Sequence, residues 1–164
     1  MRRSLVVALM FAAIAWPAGL ARAGDWTWPV VGVVIRGYDP PDSPYGAGHR
    51  GIDIAAPIGT PVRAAAAGTV TFAGHVGGHL FVTVNHGGGL VSTYSWLSEL
   101  RVAKKDVVTE GKVIALSGPG HPGVLPAHLH FGAKLNGAYV DPFDYLSPGS
   151  VVDLIRLAPL EGAA

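Results

Sequence analysis

The sequence predicts an all-β fold of mostly antiparallel strands, packed as a sandwich or a rolled sheet. Three features point there. No long segment of the chain outside its N-terminal region repeats apolar residues with a helical period. Glycine (23) and proline (13) are abundant among the 164 residues and cut the chain into short runs. Those runs are joined by turn signals, of which Asn136-Gly137 is the strongest.

The elements follow in chain order. Residues 30–35 form a strand candidate that contains Gly32. The run Asp39-Pro40-Pro41-Asp42-Ser43-Pro44 cannot be helical and leads as a loop to His49. Residues 61–63 and 68–73 read as short strands. Residues 80–84 and 90–94 flank Asn85-His86-Gly87-Gly88-Gly89, a hairpin with a glycine turn. Residues 107–108 and 113–116 flank Thr109-Glu110-Gly111-Lys112 as a second hairpin, and 128–135 and 139–140 flank Asn136-Gly137 as a third. Residues 147–164 read as a tail, in which 151–157 form one or two helical turns.

Residues 1–23 have the pattern of a secretory signal peptide. Arg2 and Arg3 precede an apolar run over 5–16, too short to span a bilayer comfortably, and Ala21-Arg22-Ala23 is an A-x-A cleavage site. The expected product is a mature domain over 24–146 followed by the tail, secreted and extracellular or cell-wall associated, monomeric, and with no stable membrane insertion after cleavage. Three of the 12 Lys and Arg lie in 1–23 and none of the 11 Asp and Glu does, so residues 24–164 carry a formal charge of −2. No basic cluster remains to suggest nucleic-acid binding; Lys104-Lys105 reads as a solvated turn. The chain has no cysteine. A small exported domain without disulfides must rely on its core and on any metal it holds, and that metal must be bound by His and carboxylate.

Two motifs supply such ligands. Gly48-His49-Arg50-Gly51-Ile52-Asp53-Ile54 contains HxxxD, and Pro126-Ala127-His128-Leu129-His130-Phe131-Gly132 contains HxH. Three imidazoles and one carboxylate are the inventory of a catalytic zinc site with a position left for water. In a strand, His128 and His130 project to one face while Leu129 turns to the core. Two readings of that pair stay open: both bind the metal, or one binds it and the other handles the proton of bound water. His49 and Asp53 would lie about 13 Å apart in a straight strand. A bend at Arg50-Gly51 is therefore expected to fold His49 back toward Asp53. The remaining histidines, His75, His79 and His121, fall in glycine-rich loops and are assigned no role. His86 is read as a support of its hairpin, and His121 as the rim of the approach to the HxH strand.

These segments, with Pro61-Val62-Arg63-Ala64-Ala65, Gly68-Thr69-Val70, Asn85-His86-Gly87, Thr93-Tyr94 and Asp141-Pro142, closely resemble the LytM/lysostaphin-type zinc metallopeptidases, the M23 peptidase family. The likeness extends over about residues 26–146. It implies an antiparallel β fold with a substrate groove, one Zn2+ held by His49, Asp53 and His130, and His128 as the catalytic histidine beside the bound water. It also implies hydrolysis of peptide bonds in bacterial peptidoglycan, as in cell-wall remodelling or lysis. One position departs from the pattern. Where members of the family carry a second catalytic histidine in Tyr-x-His-Leu, this chain reads Tyr94-Ser95-Trp96-Leu97. An indole N–H donates one hydrogen bond and cannot shuttle a proton. The expected activity is therefore that of a zinc metalloendopeptidase, weakened or altered. The alternative is a zinc-binding but weakly active or non-catalytic module that binds cell wall or regulates other hydrolases. A biotinyl- or lipoyl-type carrier, suggested by Val108-Thr109-Glu110-Gly111-Lys112-Val113, lacks the modifiable lysine turn.

Overall fold

The structure is a computed structural model that describes residues 25–43 and 46–147. The signal peptide over 1–23 and the helical turns expected over 151–157 lie outside the described residues.

Ten strands and one short 3-10 turn account for the fold: β1 (Val34–Arg36), β2 (Ile52–Ala55), β3 (Pro61–Arg63), β4 (Gly68–Val76), β5 (His79–Gly87), β6 (Leu90–Leu100), β7 (Val107–Val108), β8 (Val113–Ser117), β9 (His128–Leu135), β10 (Ala138–Val140), and the turn at Pro142–Asp144. All pairings between these strands are antiparallel. The main path is β1-β2-β9-β6-β5-β4-β7, with β10 on β9 and a smaller leaf of β3 and β8 attached to β6. The all-β antiparallel expectation holds.

β6 is the spine, and it changes partner along its length. Residues 90–95 pair with β9, whereas Leu97, Glu99 and Leu100 pair with β8. The changeover falls at Trp96, whose φ is +63°, a left-handed conformation that non-glycine residues seldom adopt. This break lets the sheet roll, so that Val62, Ile114 and Ala115 of the leaf join Ile54, Val84, Tyr94, Leu129 and Phe131 of the main sheet in one buried core.

Turn chemistry explains the register. Asn136 (φ +51°) and Gly137 (φ +88°) close the β9–β10 hairpin with Leu135 opposite Ala138, as the Asn-Gly signal predicts. A tight hairpin at Gly77-Gly78 joins β4 to β5, placing Val76 opposite His79. The predicted loops around His75 and His79 are thus strand: His75 lies in β4 and His79 opens β5.

Two further expectations are corrected. The strand predicted over 30–35 begins only at Val34. Before it the backbone runs against β2 so closely that a Cβ on Gly32 would fall on the Ala55 carbonyl oxygen. The hairpin predicted between 107–108 and 113–116 does not form, because β7 pairs with β4 while β8 pairs with β3 and β6. Its intervening turn is instead stitched to Ala64, through Gly111 N–H to Ala64 O and Ala64 N–H to Lys112 O, both 2.9 Å.

A buried polar chain ties the sheet together away from the histidine cluster. His86 Nδ1 lies 2.8 Å from Ala67 O and its Nε2 2.8 Å from Ser92 Oγ; Ser92 Oγ is 3.0 Å from Tyr94 OH, to which Ala65 N–H donates at 2.8 Å. One proton arrangement satisfies every member: Nδ1–H to the carbonyl, the serine proton to Nε2, and the phenol proton to the serine. Burial pushes His86 below its ordinary value and Tyr94 up to about 12, so both stay neutral in their network.

Candidate metal centre

Asp53 and His130 are placed by strand register. β2 and β9 align Asp53 directly opposite His130 and Ala55 opposite His128, so the carboxylate meets the HxH strand on one face. Ile52, Ile54, Leu129 and Phe131 alternate with them and are fully buried. His49 arrives by a bend. It forms an isolated antiparallel bridge with Asp39, its N–H donating to Asp39 O at 2.7 Å. The chain then turns through Gly51, where any Cβ would lie 2.4 Å from the Phe131 carbonyl oxygen and 2.9 Å from His130 Nε2. Only glycine fits there, and the expected fold-back of His49 onto Asp53 follows.

The result is a compact triangle. His49 Nε2 is 3.0 Å from Asp53 Oδ1 and 3.0 Å from His130 Nδ1, and His130 Nδ1 is 2.9 Å from the same Oδ1. His49 Nδ1 lies 2.6 Å from Gly37 O. A carbonyl accepts only, so Nδ1 carries the proton and Nε2 turns its lone pair into the triangle. A lone pair facing a carboxylate oxygen and a second imidazole is unfavourable without a cation between them. Donors bound at about 2.0–2.2 Å to one tetrahedral ion sit roughly 3.3 Å apart, close to the edges seen. The residues therefore fit a zinc ion on the chemistry of the donors as well as on their spacing.

Electrostatics agree. Burial pushes Asp53 upward, but hydrogen bonds from His130 and His121 and the charges of His49 and His130 outweigh it and hold the carboxyl at about 2. Burial pushes His49 below its ordinary value, reinforced by His130 and Arg36 and opposed by the Gly37 carbonyl and Asp53. An anionic carboxylate and a neutral imidazole are the forms that bind a metal.

His128 stands behind the triangle, fully buried, with Nε2 4.0 Å from Asp53 Oδ1. Its Nδ1 lies 3.0 Å from Pro126 O, which fixes the proton on Nδ1 and makes Nε2 an acceptor, which takes the His121 backbone N–H at 3.2 Å. The three histidines singled out from sequence, His49, His128 and His130, thus surround the carboxylate of Asp53.

His121 joins them. Its Nε2 is 2.9 Å from Asp53 Oδ2, and its ring is 4.7 Å from that of His128. Among the described residues, His49, Asp53, His121 and His130 offer ligand atoms that all lie within 4.8 Å of one another. Sequence reasoning gave His121 no role, because nothing in Gly118-Pro119-Gly120-His121-Pro122-Gly123 encodes where a loop lands. The one available signal was that the loop feeds straight into the HxH strand. His75 takes no part in the cluster, and His79 stacks on Trp96 with ring centroids 3.9 Å apart.

The cluster opens onto a cavity of about 630 Å³ whose lining includes Trp96, Arg36, Arg50, Lys134 and Tyr139. No Asp or Glu is among its lining residues.

The model of peptidase family M23 matches residues 47–142, from just before His49 to just beyond the last strand. The chain belongs to peptidase family M23. An uncharacterised Mycobacterium bovis protein is 38% identical over 141 residues, covering 81% of this chain and 54% of its own length. The chain thus spans about half the length of that curated relative. Among solved M23-like structures, the antimicrobial peptidase lysostaphin from Staphylococcus simulans superposes with a TM-score of 0.67 at 27% identity, over 87% of this chain and 63% of that one. A zinc-containing peptidase from Vibrio cholerae gives 0.65 at 27% identity, over 78% and 41%. Within the M23 fold, the departure at Trp96 lies in the cavity wall, its ring 6.0 Å from that of His121.

Proposed function

We propose that the chain is a secreted zinc metalloendopeptidase that hydrolyses peptide bonds in bacterial peptidoglycan. The observation that carries the reading is the triangle of His49 Nε2, Asp53 Oδ1 and His130 Nδ1, three candidate ligand atoms 2.9–3.0 Å apart at the floor of a groove. His49, Asp53 and His130 would hold the zinc, which when bound lowers the pKa of a water toward about 7 and polarises a peptide carbonyl. His128 would take the proton of the attacking water at Nε2 and return it to the departing amine as the C–N bond breaks. Its proton on Nδ1, held by Pro126 O, makes Nε2 the acceptor nitrogen, and the 3.2 Å bond it takes from the His121 backbone N–H must yield when it accepts this proton. Burial of His128 and Asp53 keeps bulk water from competing. Arg36, Arg50 and Lys134 in the groove wall suit a peptide that carries carboxylates, as peptidoglycan stems do.

Export rests on the N-terminal signal pattern; N-terminal sequencing of secreted protein should begin at Gly24. No helix among the described residues is long and apolar enough to cross a membrane. Trp96 is the observation that favours the alternative, a wall-binding or regulatory module that keeps zinc without cutting. Purified protein separates the two readings. The peptidase releases soluble peptides from peptidoglycan and is stopped by a chelator; the module binds zinc and wall and releases nothing.

A further inference from the structure

We propose that His121 is a second catalytic imidazole of this site, donating through Nε2–H to the carbonyl oxygen of the bound peptide as negative charge develops there. The inference rests on the peptidase reading above.

The position of His121 is built by the fold. The loop between β8 and β9 is pinned at its start, where Gly118 N–H donates to Trp96 O at 2.9 Å. It is pinned again where His121 N–H donates to His128 Nε2 at 3.2 Å. Between them Gly120, at φ +84°, lies flat on the His128 ring: a Cβ there would come 2.3–2.6 Å from three ring atoms. This contact lets the His121 ring reach over the Asp53 carboxylate while keeping 17% of its side chain exposed to the groove.

The hydrogen-bond pattern sets His121 apart from the triangle. His49 and His130 converge on Asp53 Oδ1, whereas His121 engages Oδ2. A carboxylate oxygen only accepts, and this contact at 2.9 Å is much shorter than the 3.4 Å from His121 Nδ1 to Pro122 O, so the proton is placed on Nε2 of His121. It presents a donor to the site, where His49 presents a lone pair. A donor at the mouth of the cluster, its ring 4.7 Å from that of His128, is placed for the oxygen of an incoming carbonyl. The bond to Oδ2 holds it there until a peptide arrives. Trp96 is the competing donor in this wall, but its ring is packed against His79.

The test compares His121→Ala, His121→Gln and Trp96→Phe with wild type. It measures kcat and KM on a soluble peptidoglycan stem peptide, zinc per chain, and the Kd of a phosphinic peptide that mimics the tetrahedral state. His121→Ala is expected to lower kcat by about 10²–10³-fold, the loss typical of one oxyanion donor, with KM and one zinc per chain retained. It should weaken phosphinic-peptide binding by a similar factor. His121→Gln, which keeps an N–H donor, should recover at least about tenfold of the lost kcat. Trp96→Phe should lower kcat far less than His121→Ala.

Several outcomes overturn the proposal. They are a His121→Ala enzyme within a few-fold of wild-type kcat, a His121→Ala chain that loses its zinc, a glutamine no better than alanine, or a Trp96→Phe loss as large as that of His121→Ala. Zinc loss would make His121 a ligand or a support for Asp53. A wild-type chain that holds zinc and cuts nothing overturns the peptidase reading itself, an outcome visible before any variant is made.

Discussion

Asp53 joins three imidazoles through two oxygens, and its roles divide between them: Oδ1 faces His49 and His130, and Oδ2 faces His121. His49→Ala or His130→Ala should bring bound zinc well below one per chain, measured on dialysed protein by atomic absorption. Full zinc in both would remove the assignment. The pH dependence follows from the shifts. The folded pKa of His49 is lowered by burial, so the unfolded chain binds the proton more readily, and stability is lost as pH falls below the ordinary histidine value of about 6.5. Asp53 acts in the same direction at lower pH: its folded value of about 2 contributes stability above the ordinary 3.8 that fades as pH drops toward 2. Metal binding needs the same deprotonated forms. Zinc release should therefore begin as pH falls through about 6.5, followed by loss of the fold in more acid solution. A zinc content constant down to pH 4 would contradict this. His49, Asp53, His128 and His130 were legible in the sequence because strand periodicity and a glycine bend fix their neighbours. His121 was not, because a loop's landing point depends on contacts such as Gly120 against His128, which have no period.

At the scale of elements, hairpins with a local turn signal were legible and long-range pairings were not. Asn136-Gly137 dictates its own φ values and hence the β9–β10 register. Thr109-Glu110-Gly111-Lys112 also resembles a turn, yet its flanking strands find better partners in β4, β3 and β6. Non-local pairing decides there, and no short window contains it. The glycine run around His75 and His79 hid a hairpin, since glycine marks both loops and the tight turn used here. Two substitutions probe how elements hold the site. Tyr94→Phe removes the acceptor for the buried Ala65 N–H and the partner of Ser92, and should cost about 1–3 kcal/mol, the penalty of an unsatisfied buried group, in urea unfolding. A loss under a few tenths of a kcal/mol would mean that the chain from His86 to Ala65 is not structural. Gly120→Ala should displace the His128 ring and lower kcat while zinc stays bound, because the atoms nearest to such a Cβ all belong to His128 and none to His49, Asp53 or His130. Equal activity in that variant would show that the loop does not position His128.

The whole molecule carries a formal charge of −2 beyond residue 23, yet the cavity beside the cluster is lined by Arg36, Arg50 and Lys134 and by no acid. Each charge-assisted contact to a substrate carboxylate is worth about 1.5–3 kcal/mol, so Lys134→Glu should raise KM for an acidic stem peptide roughly tenfold or more. An amidated peptide should feel the change less; equal effects on both peptides would remove the groove from substrate choice. The rolled sheet brings HxxxD from β2 and its preceding bend against HxH on β9, and the break in β6 at Trp96 lies in the wall of the cavity beside them. That assembly is proposed to work as a zinc peptidase. The most direct measurement is release of soluble peptides from purified peptidoglycan by the chain spanning residues 24–164, with its zinc content determined on the same sample. One zinc per chain, cleavage abolished by a chelator, and cleavage restored by added zinc are the predicted results. One zinc per chain with no peptide released under any metal condition would contradict it.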